Sequence, residues 1–419
     1  MLSVEEALER VLATVQVLEP EERPLLGALG QVLAEDVVAE FDIPSLANSA
    51  MDGYALQHTS IRGASPQTPR VVKIISEIWA GQLPTREVTP GTAAHIMTGA
   101  PIPKGADTVV PFELTDERER RAAGKPVAEV SVYRELPLGS HVRPAGEDVA
   151  RGQVVLHRGS VLRPAELGVL ASLGHLRVKV IRRPEVAIIA TGNELLAPGQ
   201  PLEQGKIYDS NSYAIATAVL RYGGIPHLLG IARDEMEELR RKLEAGIHAD
   251  LLVTSAGVST GESDLVRRAL EERGKVEFWS VRMRPAKPIA FGLLQGPGGR
   301  VVPHLGLPGN PVSALVAFEE LGRPALLKMQ GRTRLAKPTI RAVLEGTIVN
   351  RDHRRVYARV VVTQRDGKYY ACPTGPQGSN LLTSMALANG LAICPENVPA
   401  KHAGDEVEVR MLDWNEETL

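Results

Sequence analysis

Glu194, Asp234 and Asp264 fall in three separate loops, each just after a strand-like run and beside small, polar or hydroxyl residues. The longest of these stretches, Val253 to Asp264, reads VTSAGVSTGESD. It continues a buried strand pattern from Leu251 to Thr254, and a helical pattern starts at Leu265. Small residues at such a turn, Gly257 among them, let backbone N–H groups approach an anion. Ser255 and Ser259 add hydroxyl donors, and the helix N-terminus that follows favours negative charge. A phosphate or another oxyanion suits this chemistry. The same residues also fit an ordinary strand-to-helix loop with Asp264 as cap.

Three further loops follow strand-like runs: Thr191-Gly192-Asn193-Glu194, Arg233-Asp234, and the run Gly306 to Pro311, which contains Pro308, Gly309, Asn310 and Pro311. In a parallel sheet all four loops converge on one edge. Glu194, Asp234 and Asp264 would then crowd an anion cradle, an unfavourable arrangement unless a cation lies between them. Mg²⁺, bridging carboxylate and phosphate oxygens, resolves the conflict. Asp234 with Glu237 also fits a capping box, whereas Glu194 has no such structural role. Arg284 and Lys287, in the run MRPAKP, are candidate fixed charges for an oxyanion, and a solvated basic turn is the alternative. Asp52-Gly53 reads locally as a turn signal. The ten histidines show no HExxH or paired spacing, so none is assigned to a metal.

The elements that must hold these loops follow from periodicity. Ser3 and Glu6 form a capping box before an amphipathic helix with Val4, Ala7, Leu8 and Val11 on one stripe. Residues 45–144 carry many Gly and Pro breaks and short β-prone runs, the pattern of an inserted small β domain. The flanking segments 1–44 and 145–180 are expected to be halves of one domain. From 181 to 330 strands and helices alternate: strands at Val186, Leu228, Leu251, Val276, Ile289 and Val301, and helices from Ser212, Glu235, Asp264 and Asn310-Pro311. Such alternation predicts a doubly wound, largely parallel α/β sheet. Residues 331–419 return to β patterning, with an Asp366-Gly367 hairpin signal. The fold class expected is α/β plus β in several domains.

The chain of 419 residues has a formal net charge of -2, so no basic field draws it to nucleic acid. Its two cysteines, Cys372 and Cys394, match no metal-ligand spacing and are expected to be free buried thiols in a reducing compartment. The first residues, with Glu5, Glu6 and Glu9, lack a basic targeting region, and no apolar run approaches membrane-spanning length. A cytoplasmic protein without a membrane partner is the expectation.

The runs NSAMDGYA (Asn48 to Ala55), MTGAPIPKGAD (Met97 to Asp107), GED (Gly146 to Asp148), TGNEL (Thr191 to Leu195), IYDSN (Ile207 to Asn211), SAGVSTGESD, RPAKP and GLPGNPVSA (Gly306 to Ala314) together resemble one family. It is the molybdopterin molybdenumtransferases of molybdenum-cofactor synthesis, which includes the C-terminal domain of gephyrin. The resemblance covers nearly the whole chain. It implies a homodimer of elongated four-domain subunits, with the site between the α/β domain of one subunit and the inserted domain of the other. It also implies Mg²⁺-dependent insertion of molybdate into adenylylated molybdopterin with release of AMP. By motif match, Asp52, Thr98, Asp148, Glu194, Asp234 and Asp264 fall on site positions, Pro308 and Pro311 on a proline-rich loop, and Ser379 on a C-terminal position near it. A molybdopterin adenylyltransferase is an implied partner. Asn193, Ala256, Ser280, Arg284 and Ala286 depart from the family's usual residues, and a positive φ at Ala256 would strain its loop. Two other readings are an adenylyltransferase-like enzyme, which would resemble only the α/β segment, and a non-catalytic scaffold.

Overall fold

The Ser3 hydroxyl accepts the Glu6 N–H at 3.0 Å and the Glu6 carboxylate accepts the Ser3 N–H at 2.6 Å, so the expected capping box opens α1 (Val4–Thr14). The stripe Val4, Ala7 and Val11 is buried in one core with Ile188, Val253 and Phe318. The computed structural model describes residues 1–124, 127–258 and 264–413. They divide into two compact units. The first comprises Met1–Ala34, Gly159–Pro164 and Arg177–Leu419, the second Glu35–Arg158 and Ala165–Leu176.

The first unit holds β1 (Glu185–Thr191), α2 (Asn211–Arg221), β2 (Ile225–Ala232), α3 (Met236–Gly246), β3 (Leu251–Ser255), α4 (Asp264–Glu271), β4 (Gly274–Ser280), β5 (Pro288–Gln295), β6 (Val301–Leu307), α5 (Pro311–Ala317) and α6 (Arg323–Met329). The sheet order is β2-β1-β3-β6-β5-β4. The first four strands are parallel, whereas β5 runs antiparallel to β6, and β4 to β5. The linkers 281–287 and 296–300 are shorter than the dozen or so residues a parallel crossover requires, so these strands can only pair as hairpins. Alternate residues of the central strands feed two cores. Ile188, Val253 and Leu305 pack with α1, α2 and α5, while Ala187, Ile189 and Leu252 pack with Leu239 and Leu243 of α3 and Val266 and Leu270 of α4. Antiparallel strands Pro20–Pro24 and Arg177–Ile181 also belong to this unit.

Beyond it come β7 (Thr339–Leu344), β8 (Arg355–Arg365), β9 (Lys368–Pro373), β10 (Gly390–Cys394) and β11 (Glu406–Met411). Their order is β8-β9-β7-β11-β10, and β10 pairs back with β8, closing a five-stranded barrel. Asp366 and Gly367, at φ 49° and 73°, make the expected hairpin between β8 and β9. Met283-Arg284 joins the barrel in parallel with β8. Cys394 is buried in the barrel core as expected, but Cys372 is exposed, because its side chain leaves the outer face of β9.

The second unit is built on a five-stranded sheet in the order Thr108–Pro111, Gly53–Leu56, Thr92–Ile96, Arg70–Ile78, Glu129–Val132. Tyr54, Leu56, Val72, Val110 and Val130 fill one core. Gly53 does not turn the chain. It lies within its strand, where an added Cβ would stand 2.1 Å from the Val110 carbonyl oxygen, so glycine is needed for close backbone approach. Val37–Val38 pairs with Val154–Leu156, and Ile43 with Val149, so segments on either side of the insert are joined. Among the described residues no helix is long and apolar enough to cross a membrane.

Candidate active-site cavity

The C-terminal ends of β1, β3 and β6 and the adjoining barrel enclose a cavity of about 1110 Å³. Glu194 enters it from the loop after β1, Ser255 and Gly257 from the loop after β3, and Pro308, Gly309, Asn310 and Pro311 from the loop after β6. Arg284 and Lys287 line it from the basic run, and Ser379 from the loop 377–380 that follows β9. Ten of the residues expected from sequence therefore share one space.

The loops are tied to each other. Asn211, first residue of α2, donates from Nδ2 to Ser255 Oγ at 2.8 Å and to the Gly309 carbonyl at 2.7 Å. Thr191 Oγ1 donates to the Ser255 carbonyl at 3.1 Å, and Val312 N–H donates to the Ser379 carbonyl at 3.1 Å. Ala256 has φ 74° and Gly257 φ 72°, and Ala286 in the basic run has φ 77°. The two alanines store left-handed strain at the cavity wall, as the sequence warned for Ala256. Glycine at 257 is obligatory on two counts, since a Cβ there would also lie 2.9 Å from Val266 Cγ2. Behind this loop, His304 Nε2 and Thr254 Oγ1 share a 2.9 Å hydrogen bond. Complete burial pulls the His304 imidazole down to about 3, so it is neutral.

The charge of the cavity is unbalanced. Arg359 is 1% exposed, and its guanidinium donates to Ser384 Oγ at 3.0 Å and the Gly378 carbonyl at 2.9 Å, both neutral. Burial lowers its affinity for the proton, to about 10. Half-buried Arg284 and exposed Lys287 add two more cations to the lining. Glu194 is exposed, and its carboxylate folds over Gly192, where a Cβ would lie 2.4 Å from Oε2.

Asp234 follows β2, is exposed, and its N–H donates to Asn193 Oδ1 at 3.1 Å. It does not form the capping box read from the sequence. The cap position of α3 is Glu235, without a side-chain cap bond, and Glu238, not Glu237, accepts the Arg233 N–H. The helix starts one residue later than the local pattern indicates, which moves Asp234 out of capping register. Asn310 is the cap residue of α5 and Pro311 its first residue, but the Asn310 side chain makes no cap bond. Asp264 is the first residue of α4, inside the helix instead of before it, and Ser259 lies outside the described residues.

In the second unit Asp52 Oδ1 accepts both the Thr98 N–H (2.6 Å) and the Thr98 hydroxyl (2.7 Å). The Thr98 amide, then its hydroxyl, hold the Asp52 carboxyl below its ordinary value. Asp148 is exposed, with its N–H bonded to the Ile43 carbonyl. Among the described residues no three His, Cys, Asp or Glu side chains converge in a metal-ligand arrangement.

Three cavity residues had no role assigned from sequence. Asp209 is buried and accepts the Ser212 N–H at 3.0 Å, and Asn211 links two loops as described. Arg359 interrupts the apolar strand VYARVVV, and a charge inside a buried strand is a signal that periodicity alone passes over.

Three family models match the chain. They are described as MoeA N-terminal region (domain I and II), over residues 2–174; probable molybdopterin binding domain, over 187–328; and MoeA C-terminal region (domain IV), over 341–412. The molybdopterin molybdenumtransferase 2 of Mycobacterium tuberculosis is 38% identical over 98% of this chain and 99% of its own length. The molybdopterin molybdenumtransferase of Haemophilus influenzae is 33% identical over 98% of both. A crystal structure of the molybdopterin biosynthesis moea protein from Pyrococcus horikosii matches with TM-score 0.83 and 32% identity, over 99% of this chain and 100% of that one. With its three segments matched in order and its cavity walled by the motifs of that family, the chain belongs to the molybdopterin molybdenumtransferases.

Proposed function

We propose that the chain inserts molybdate into adenylylated molybdopterin, releasing AMP and giving molybdenum cofactor. The observation that carries this reading is the cationic cavity. A guanidinium buried among neutral partners lacks its countercharge, and a tetrahedral oxyanion in the cavity that Arg359, Arg284 and Lys287 line supplies it across the wall. Ser255 and Asn211 fix the loop after β3 against the loop after β6, so donors around the anion need little rearrangement when it binds.

The acidic residues have separate roles. Exposed oxygen ligands from Glu194 and Asp234 suit Mg²⁺, which is commonly held by one or two carboxylates together with substrate phosphates. With Asp264 they are the residues that would hold the ion. Bound there with Asp264, Mg²⁺ would neutralise charge on the phosphoanhydride. Asp52, whose carboxylate accepts from Thr98, and Asp148 are assigned to the same reaction by motif match. The functional unit is a cytoplasmic homodimer that takes substrate from a molybdopterin adenylyltransferase, and the subunit follows the division 1–44 with 145–180, 45–144, 181–330 and 331–419.

The test is AMP release from adenylylated molybdopterin in the presence of molybdate and Mg²⁺. Arg359→Gln, Glu194→Gln and Asp52→Asn are each expected to lower kcat/KM by roughly 100-fold. Release independent of all three substitutions contradicts the assignment. No release with any oxyanion or divalent metal favours a scaffold.

A further inference from the structure

We propose that Glu320, remote from the reacting groups, is a positioning residue that sets where Arg359 stands in the cavity. This rests on reading the cavity as an oxyanion seat. Helix α5 begins in the cavity loop at Pro311 and runs into a π turn, Phe318–Gly322, before α6. A π turn carries an extra residue, and such insertions are common where a helix serves a site. This one bears two buried glutamates whose side chains diverge. Glu319 accepts the Tyr222 hydroxyl at 2.8 Å and pairs with Lys337 at 2.9 Å. Glu320 accepts the Tyr357 hydroxyl at 3.0 Å and pairs with Arg410.

Tyr357 and Arg410 belong to β8 and β11 of the barrel. Tyr357 and Arg359 are two apart on one strand, so both point to the same face, about 6.6 Å from each other along it. Both line the cavity. The facing wall, Pro308 to Pro311 and Ser313, is the loop before α5 and its first turn, and Glu320 lies in the π turn that follows the same helix. Among the described residues the two walls are linked by Val312 to Ser379 at the loop and by Glu320 to Tyr357 and Arg410 at the base. Met283-Arg284 fixes the first residues of β8, so loss of the second link frees the strand from Tyr357 onward, and Arg359, held there by neutral groups of the barrel alone, shifts with it.

The experiment measures molybdate binding to the full chain by calorimetry, with Tm recorded for every variant. Tyr357→Phe removes one hydroxyl and keeps the ring, and Glu320→Gln keeps the shape. Both are expected to weaken molybdate binding about tenfold, as loss of supporting contacts commonly does. Glu319→Gln breaks an equally buried pair on the same turn and is expected to lower Tm while leaving the molybdate Kd within about twofold. If Tyr357→Phe and Glu320→Gln lower Tm yet bind molybdate like the wild type, Glu320 is purely structural and the inference fails. Wild-type protein that takes up no molybdate at millimolar concentration, judged beside Arg359→Gln, overturns the oxyanion reading itself and the inference with it.

Discussion

Asn211 Nδ2 lies 2.8 Å from Ser255 Oγ, so a helix N-terminus and the loop after the next parallel strand but one share a single amide. The same nitrogen reaches the Gly309 carbonyl at 2.7 Å, and one side chain thereby holds two anion-facing loops together.

Replacing Asn211 with Ala should lower stability by about 1 kcal/mol, the usual net worth of such bonds, and should reduce kcat/KM roughly tenfold. Asn211→Asp should be worse in both respects, because an acceptor then faces the Gly309 carbonyl. Urea unfolding together with steady-state AMP release measures the two effects, and an unaltered kcat/KM for Asn211→Ala would count against loop alignment as its role.

Ala256 and Ala286 sit at φ 74° and 77°. Left-handed backbone costs a non-glycine residue about 1–2 kcal/mol, whereas glycine loses about 0.4–1 kcal/mol through unfolded-state entropy. Ala256→Gly and Ala286→Gly should therefore each stabilise the protein by about 0.5–1 kcal/mol in denaturant unfolding. Gly257→Ala has the opposite sign, since it combines positive φ with a Cβ 2.9 Å from Val266, and should destabilise by about 1–3 kcal/mol.

His304 has its proton affinity depressed by burial, to about 3 against 6.5 in the open. Between those values the unfolded chain binds a proton the folded chain does not, so folding stability falls as pH drops through this window. The slope from this group is at most about 1.4 kcal/mol per pH unit. His304→Gln retains an amide for Thr254 and removes the titration. Its stability, measured by denaturant unfolding from pH 7 to pH 4, should decline less steeply than that of the wild type.

Asp52 has the same sign from a different cause, hydrogen bonds to the charged form instead of burial of the neutral one. Thr98 depresses its carboxyl, so the interaction is fully present above the unfolded value and is lost as pH falls through the folded one. Thr98→Ala removes the hydroxyl and retains the amide donor. The Asp52 carboxyl should then titrate at higher pH than in the wild type, measured by NMR on the side-chain carbon. An unchanged titration would mean that the amide alone holds the charge.

Local chemistry determined much of this protein. The α1 capping box, the strand starting at Leu251, the Asp366-Gly367 hairpin and the loops that follow parallel strands are decided by residues a few positions apart, and such interactions are written in the sequence itself. The gathering of Glu194, Ser255, Gly257 and the Pro308 to Pro311 loop followed from sheet polarity, which alternating strands and helices already imply, whereas Arg284 and Lys287 reach the same cavity from the linker between β4 and β5. Tertiary structure decided the rest. Gly53 is glycine because of the Val110 backbone opposite it, the direction of β4 and β5 came from linker length, and the barrel closed through β8 and β10, which are far apart in sequence. Arg359 acquired its meaning only there. Whether a buried charge is paired depends on which groups the fold brings within about 3 Å, and no periodicity along one strand encodes what the neighbouring loops will offer.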